Sequence, residues 1–360
     1  NSELGVTKTI KAETKWEFDL KVNQMNERWN QQIQLKRKRE MISNNQQTTE
    51  AMDKEQKQYI KEYENILKYT LSVNDKLNWE TQYRKDNYKK WTFNETEPNK
   101  EEIFEENNVP KEIFFEKIFK KLKEKREAKE KEATEIYEKA IKEYNNRKKK
   151  SEEEYNREKE KFEKEKENYN KEIDEWQKNF EEGEQEATER YIKVVLENSK
   201  YPKDFDKDYE IEYRKNEKIL VISYNLPNTD KISKVEGYKY IKTKNEIKAV
   251  EMKKAVYEEF YENIIFNITL RTIHEIFEST NANIIDMVVF NGFVTGIDKS
   301  NGKEFTNCII SLQVNRKEFE DINLANIEPK ECVRALKGLF AGKLAQLAPV
   351  KPIMYLNKED

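Results

Sequence analysis

The sequence predicts an α+β protein in which a long helical hairpin or coiled-coil arm is followed by a compact α+β domain with a mostly antiparallel sheet. Residues 111–181 are rich in Lys and Glu with almost no Gly or Pro, and an aromatic or large apolar residue recurs there at intervals of seven. From residue 201 onward, short apolar runs separated by turn signals are typical of strands.

Composition favours long helices over disorder. Charged residues make up 39% and hydrophobic residues 36% of the 360 residues, against roughly 25% and 45–50% in an ordinary domain. The chain has only 8 Gly and 7 Pro but 17 Phe, 19 Tyr and 5 Trp, and disordered chains are poor in aromatic residues. We expect a long helix at 1–70, an irregular linker at 71–110, a charged coiled-coil helix at 111–199 and the α+β domain at 200–360.

Charge and cysteine content exclude several classes of protein. The net charge is −3, so any attraction to nucleic acid must come from a local basic patch. Cys308 and Cys332 make neither a disulfide framework nor a zinc cluster, which fits a reducing cytoplasm. We find no apolar run that could span a bilayer and no signal peptide. Because the chain starts without Met and stops after 357–360, we expect it to be part of a longer polypeptide.

The first helix is predicted over about 12–70, with a break near 45. Its apolar face consists of Phe18, Val22, Met25, Trp29 and Ile33, spaced by three and four. The linker that follows carries Trp79, Trp91, Phe93, Ile103 and Phe104, and we expect these side chains to dock on the helices or on the C-terminal domain.

The second helix is predicted to begin after Pro110 with a strongly apolar turn at 113–119 and to run to about 181. Its heptad row consists of Ile141, Tyr155, Phe162, Tyr169 and Trp176, and is interrupted by Lys148. We interpret the row as a helix seam rather than a cofactor site. Whether the partner lies within the chain or in a second copy stays open.

In the C-terminal region the sequence predicts strands at 211–213, 219–224 and near 238–241, then a core helix over 246–278. Two apolar runs at 284–294 and 308–314 flank a hairpin turn signal, Asn301-Gly302. A last helix is predicted over 328–339.

The core helix carries Arg271, His274 and Glu278 at spacings that place them on one face. His274 is the single histidine, and a lone histidine is poor evidence for a metal site. It is therefore either a general base or ligand, or a structural histidine oriented by Glu278. We predict no metal ligands in the chain.

A nuclease site within the α+β domain would need an acidic residue and a second residue, either a carboxylate or a Gln, that together hold Mg²⁺. It would also need a Lys two residues after the second one to orient water. Asp286 and Gln313 are the candidates, but residue 315 is Asn instead of Lys. Ordinary strand residues are the alternative, and we assign no catalytic residues.

Basic residues cluster at two places, and pairing of the long helices would bring them together. In an antiparallel register whose residue numbers sum to about 182, both apolar rows meet and eight positive side chains gather at one level. This arrangement would contact DNA phosphates, whereas the alternative is a solvated helix face. The eight are Lys36, Arg37, Lys38, Arg39, Arg147, Lys148, Lys149 and Lys150.

A set of segments in the C-terminal half carries a family resemblance. They are Tyr-Pro-Lys-Asp-Phe at 201–205, Ile-Leu-Val-Ile-Ser-Tyr-Asn-Leu-Pro at 219–227, Lys-Tyr-Ile-Lys-Thr-Lys-Asn-Glu-Ile at 239–247, Leu-Arg-Thr-Ile-His-Glu-Ile-Phe-Glu at 270–278, Val-Val-Phe-Asn-Gly-Phe-Val at 288–294, Cys-Ile-Ile-Ser-Leu-Gln-Val at 308–314, Glu-Pro-Lys-Glu-Cys-Val-Arg-Ala-Leu-Lys-Gly at 328–338 and Leu-Ala-Pro-Val-Lys-Pro-Ile at 347–353, with Leu-Ser-Val-Asn-Asp-Lys-Leu-Asn-Trp at 71–79. Together they resemble the region that precedes the nuclease domain in Mrr-type bacterial restriction proteins.

The resemblance implies a function in anti-phage defence. In that family a PD-(D/E)xK nuclease domain follows this module, so Mg²⁺ is expected only if such a domain follows here, and these 360 residues need no cofactor. We expect a non-catalytic assembly and sensing region of an Mrr-like DNA nuclease, with a homo-oligomer or another defence-system subunit as partner, DNA as a further ligand and no membrane. The alternatives are a structural coiled-coil oligomerisation protein and a hidden metal-dependent nuclease in residues 201–360.

Overall fold

The computed structural model describes residues 4, 5, 7, 15–112, 120–202 and 205–357, excepting the side chains of 15–21 and 24. The apolar turn predicted at 113–119 and the Phe18 side chain lie outside these described residues. Two compact units are present, and each is described by itself. The first comprises Asn1–Leu77 and Asn179–Asp360, and the second comprises Asn78–Lys178.

The fold is α+β, as the sequence predicts. The helices are α1 (Lys15–Glu64), α2 (Ile66–Thr70), α3 (Lys100–Glu106), α4 (Lys120–Glu181), α5 (Gln185–Asn198), α6 (Lys254–Ser279), α7 (Arg316–Glu320) and α8 (Pro329–Ala335). The strands are β1 (Tyr209–Arg214), β2 (Ile219–Asn225), β3 (Val235–Ile241), β4 (Glu246–Glu251), β5 (Met287–Ile297), β6 (Glu304–Asn315) and β7 (Leu339–Phe340).

Helix α1 runs without the break that the sequence predicts near residue 45. The hydroxyls of Thr48 and Thr49 donate to the carbonyls of Asn44 and Asn45, at 2.9 and 2.7 Å. These bonds keep the polar side chains satisfied within the helix, so this polar stretch stays helical. The chain interrupts its helix at Asn65 instead, and α2 follows.

The five-stranded sheet has the order β1-β2-β5-β6-β7. Its β2–β5 pair is parallel, and its other pairs are antiparallel. A parallel pair needs a long crossover connection, and here β3, β4 and α6 supply it. Helix α6 packs against β5 and is flanked by α1, α2, α5 and α8, so it is the central helix of the first unit.

The helix predicted over 246–278 begins only at Lys254, because residues 246–251 form β4. Asn245 adopts a left-handed backbone conformation with φ 52°. Its side-chain oxygen also accepts a hydrogen bond from the Tyr240 hydroxyl at 2.7 Å. The resulting turn pairs β4 with β3, and this pairing overrides the helix propensity of the Glu, Lys and Ala residues. The two-stranded sheet packs on α1.

The last predicted helix, over 328–339, is also shorter than expected. Helix α8 ends at Ala335, and Lys337 has a positive φ of 60°. The Gly338 amide donates back to the Val333 carbonyl at 2.9 Å, which closes the helix end. The chain then forms β7, which pairs with β6.

The second unit contains most of α4, a helix of 62 residues, which corresponds to a length of about 93 Å. The predicted linker contains α3 and a short 3₁₀ turn at Trp79–Thr81. Residues 79–95, which we call the strap, run antiparallel to α4 and contact it along most of their length. The contacts are Trp79–Trp176, Tyr83–Asp174, Arg84–Asn170, Asp86–Lys166, Tyr88–Phe162, Tyr88–Glu158, Tyr88–Tyr155, Trp91–Ser151, Phe93–Tyr144 and Glu95–Arg147.

The strap packs against three aromatic members of the heptad row. Tyr155, Phe162 and Trp176 pack against strap aromatics with ring centroids 5.4, 5.3 and 4.8 Å apart. The linker aromatics Trp79, Trp91 and Phe93 therefore dock on a helix, as expected. The described partner of the row is an extended segment of the same unit. Pairing of α4 with α1 or with a second copy stays a prediction.

Candidate functional site

The candidate site is a group of polar residues on the buried helix α6 and on two segments packed against it. Four of its members recur on α6 at intervals of three and four, which places them on one face. We call the group the α6 polar cluster. Its members are Thr70, Asp75, Ser199, Arg271, His274, Glu275 and Glu278.

Arg271 is the centre of the first half of the cluster, with 1% of its surface exposed. Its Nε donates to Glu275 Oε1 at 2.7 Å, and its Nη2 donates to Ser199 Oγ at 2.7 Å. Its Nη1 donates to the Ile66 carbonyl at 3.2 Å, at the start of α2. The guanidinium also lies 4.2 Å from the ring centroid of Tyr201. Arg271 thus connects α6 to α2 and to the segment after α5.

Glu275 is equally buried, with 1% of its surface exposed. Its Oε1 accepts hydrogen bonds from Arg271, from Ser199 Oγ at 2.6 Å and from Thr70 Oγ1 at 3.1 Å. Its Oε2 is excluded from solvent and has no hydrogen-bond partner among the described residues. Burial raises the pKa of Glu275, while Arg271 and the Ser199 hydrogen bond oppose this shift.

Asp75, His274 and Glu278 form the second half of the cluster. Each offers one ligand-type atom, and these atoms lie within 4.8 Å of one another. Burial, together with the neighbouring Glu278, raises the pKa of Asp75 to about 6. Burial lowers the pKa of His274, which favours the neutral imidazole. Two carboxyl groups and a neutral imidazole therefore share one partly buried position.

Thr70 joins the two halves. Its hydroxyl oxygen lies 3.0 Å from Asp75 Oδ2 and 3.1 Å from Glu275 Oε1. A hydroxyl has a single hydrogen to donate, so only one of the two carboxylates receives it at a time. The cluster contains the carboxyl groups of Asp75, Glu275 and Glu278, and its one permanent cation is Arg271. Negative charge is therefore in excess.

Two cavities adjoin this face of α6. One, of about 740 Å³, is lined by Arg271, Tyr69 and Tyr201 and by the basic residues Lys61, Lys68 and Lys200. The other, of about 390 Å³, is lined by His274, Glu278 and a mostly apolar wall that comprises Leu71, Phe277, Phe319, Ile322 and Leu324. Both halves of the cluster therefore lie beside space that a small ligand can enter.

The structure brings the predicted residues Arg271, His274 and Glu278 onto one face but keeps Asp286 and Gln313 out of their group. His274 Nε2 lies 3.3 Å from Glu278 Oε2, but this oxygen accepts no hydrogen bond from the described residues, so the contact does not decide between the roles considered for this histidine. Asp286 is exposed where the chain enters β5, and Gln313 is exposed on β6 opposite Val289. The metal-binding type of group that the described residues form does not include Asp286.

The eight basic residues are exposed on their own helices, Lys36–Arg39 on α1 and Arg147–Lys150 on α4. Arg147 forms an ion pair with Glu95 at 2.8 Å, and Lys149 lies 3.8 Å from Glu153. Because the two groups belong to different units, a joint phosphate-contacting patch stays a prediction.

Sequence reasoning missed Thr70, Asp75, Ser199 and Glu275. Glu275 had a detectable signal, since it follows Arg271 by four residues on the same helix, the spacing of an ion pair. Asp75 is far from α6 in the sequence and becomes its neighbour only through the packing of α2 on α6.

Comparison with protein-family models, with curated proteins and with solved structures finds no match to this chain. Among the helices of the described residues, none has both the length and the apolar character that a bilayer crossing requires.

Proposed function

We propose that this protein is the non-catalytic assembly and sensing region of an Mrr-like restriction system that acts on foreign DNA in the bacterial cytoplasm. In this proposal the α+β unit binds a small ligand and the helical unit assembles the complex. DNA cleavage belongs to a PD-(D/E)xK nuclease domain that lies outside these residues. The resemblance of the quoted segments to Mrr-type proteins is the origin of the proposal.

One observation supports the proposal: the segments that show the resemblance, apart from residues 78 and 79, lie in a single compact unit. Residues 71–77 are separated in sequence from 201–353 by the whole second unit, yet they belong to the first unit with them. The Leu77 amide donates to the Tyr191 hydroxyl at 3.1 Å, and this hydroxyl donates to the Ser279 carbonyl at 2.8 Å. This supports a common origin of the segments in one folded module over a set of chance similarities.

The sensing part of the proposal draws on the α6 polar cluster. A buried carboxylate oxygen without a partner costs free energy, and the cluster contains such an atom in Glu275. Functional sites accept such local costs, and Arg271, the ion-pair partner of Glu275, lies on the wall of the adjoining cavity. The adjoining 740 Å³ cavity, with three Lys and two Tyr on its wall, suits a planar anionic ligand.

The structural coiled-coil protein remains the second candidate, because the 62-residue helix favours an assembly role by itself. It differs from the leading proposal by having neither DNA affinity nor a ligand. The hidden nuclease is the third candidate, and it requires Asp286, His274 and Gln313 to act together. Among the described residues, Asp286 does not belong to the metal-binding type of group that contains His274, and this is evidence against a hidden nuclease.

The decisive experiment uses the full purified chain with supercoiled plasmid and Mg²⁺. We expect the plasmid to stay intact, while sedimentation reveals concentration-dependent self-association and duplex DNA binds in a strongly salt-dependent manner. Cleavage that disappears in Asp286→Ala would favour the hidden nuclease. Self-association without DNA affinity would favour the structural protein.

DNA binding through the proposed patch needs its own control. Replacing all eight basic residues by Gln is expected to weaken duplex binding and to reduce the salt slope by about 0.9 for each phosphate that the protein no longer neutralises. The matched variant replaces eight other exposed lysines, Lys120, Lys121, Lys123, Lys125, Lys139, Lys142, Lys159 and Lys161. Equal effects of the two variants would mean that general charge, and not the patch, attracts DNA.

A further inference from the structure

We infer that Asp75, His274 and Glu278 bind a divalent first-row transition metal ion and leave a coordination position open toward the 390 Å³ cavity. This inference goes beyond the proposed function, since an assembly and sensing region need not hold a metal. It also differs from the prediction made from the sequence, according to which the chain contains no metal ligands.

The geometry is close to that of a metal centre. With metal–ligand distances of about 2.0–2.2 Å, ligand atoms in a tetrahedral site lie about 3.4 Å apart. His274 Nε2 and Glu278 Oε2 are 3.3 Å apart, and they come from helix positions four residues apart that face the same side. An atom of Asp75 lies within 4.8 Å of both. A side-chain adjustment of about 1 Å would complete the three-ligand site.

The His274–Glu278 contact is a second observation that fits metal binding. Glu278 Oε2 is excluded from solvent and accepts no hydrogen bond from the described residues, although the imidazole nitrogen is only 3.3 Å away. A hydrogen bond would satisfy the carboxylate, but the two atoms lie side by side without its geometry. An imidazole nitrogen and a carboxylate oxygen that approach each other without a hydrogen bond have the types and the spacing of two ligands of one metal ion.

The charge of the cluster gives independent support. The cluster contains three carboxyl groups but only one guanidinium, and the single Thr70 hydrogen cannot serve both Asp75 and Glu275. Glu275, which is almost completely buried, also has an oxygen without a hydrogen-bond partner. A divalent cation bound by Asp75 and Glu278 would offset this excess of negative charge. Arg271, Glu275 and Thr70 would then orient Asp75, because outer hydrogen bonds fix the position of metal ligands.

The donor set selects the class of metal. One imidazole nitrogen with two carboxylates suits Zn²⁺, Mn²⁺, Co²⁺ and similar ions, whereas Mg²⁺ and Ca²⁺ prefer oxygen ligands alone. Three protein ligands leave a fourth position for water or a small anion, which is the arrangement of reactive and ligand-binding metal sites. The cavity beside His274 and Glu278 gives such a ligand access.

The test is metal uptake by the full chain after chelator treatment and dialysis. Calorimetry with Zn²⁺ and Mn²⁺, and the visible absorption of bound Co²⁺, are expected to report one ion per chain, with Mg²⁺ binding much more weakly. Asp75→Asn, His274→Gln and Glu278→Gln should each weaken Zn²⁺ binding at least about 10-fold. Thr70→Val is expected to weaken it less, because Thr70 only positions a ligand.

Asp286→Asn is the matched control, since Asp286 is an exposed acid of the same unit that is not in the cluster. Circular dichroism of each variant verifies that it is folded. Uptake by folded protein that is unchanged in Asp75→Asn and Glu278→Gln would overturn the inference, because the ions would then bind elsewhere. Absence of Zn²⁺, Mn²⁺ and Co²⁺ uptake by the folded wild-type chain would overturn it as well.

Discussion

Arg271 and Glu275 form an ion pair at 2.7 Å with both side chains almost fully buried in the first unit. An ion pair in such a position is tolerated because the two charges offset each other, and because Ser199 and the Ile66 carbonyl accept two further hydrogen bonds from Arg271. The pair therefore adds specificity to the packing of α2 and α5 on α6 more than it adds stability.

The first prediction concerns this pair. Arg271→Met should lower the free energy of unfolding by about 3–5 kcal/mol, because Glu275 is left buried without its counter-charge. Adding Glu275→Leu to that variant should restore much of the loss. The control, Arg334→Met, removes an exposed ion pair with Glu331 and should change stability by less than about 1 kcal/mol. Urea unfolding measures all four proteins, and equal losses in Arg271→Met and Arg334→Met would contradict the argument.

The second prediction concerns the strap. Tyr88 lies between Tyr155 and Phe162, with centroid distances of 5.4 and 5.3 Å. Tyr88→Ala should loosen the strap from α4, because aromatic pairs of this kind contribute about 0.5–1.5 kcal/mol each beyond area burial. Hydrogen exchange of residues 82–95 should accelerate. Tyr169→Ala serves as the control, since Tyr169 is in the same heptad row but is exposed. An unchanged exchange rate in Tyr88→Ala would mean that the other contacts of the strap hold it in place without Tyr88.

The third prediction concerns the pH dependence of the same contact. The Tyr88 hydroxyl donates to Glu158 Oε2 at 2.6 Å, and this hydrogen bond raises the pKa of Tyr88 to about 12. A raised pKa means that the fold favours the protonated phenol. The contribution is therefore complete below about pH 10, the usual pKa of tyrosine, and is lost as pH rises through about 12. Phenolate absorbance of the wild type minus that of Tyr88→Phe should show this late titration, and a difference centred near pH 10 would refute it.

The sequence predicts the coarse architecture and three of the seven residues of the candidate site, for a physical reason. The spacing of Arg271, His274 and Glu278 is a local helical property, so periodicity alone places them on one face. Asp75 reaches them through tertiary packing, which periodicity does not describe. Residues 246–251, predicted as the start of the core helix, form a strand instead, again because of tertiary contacts. The turn at Asn245 pairs them with β3. For the strap, the prediction that its aromatic side chains dock on a helix is confirmed. The spacing of the heptad row predicts a seam between helices, whereas its described partner is the extended strap.

The last prediction concerns the attachment of β3 to α1 in the first unit. The Tyr238 amide donates to Asp53 Oδ1 at 2.9 Å, and a Cβ atom at Gly237 would lie only 2.4 Å from that oxygen. Gly237→Ala should therefore displace the Asp53 carboxylate, leave the Tyr238 amide without its acceptor and lower the free energy of unfolding by about 1–3 kcal/mol.

A double-mutant cycle measures how much of this loss comes from the contact between the new methyl group and Asp53. Asp53→Ser shortens the side chain that the new methyl group meets, so Gly237→Ala should cost less in that background than in the wild type. Gly342→Ala is the control, because a Cβ atom there meets nothing within 4 Å, and its effect should stay within about 0.5 kcal/mol. If Gly237→Ala is as mild as Gly342→Ala, the backbone at β3 moves away from α1 without loss, and the close approach of the two elements is not required for stability.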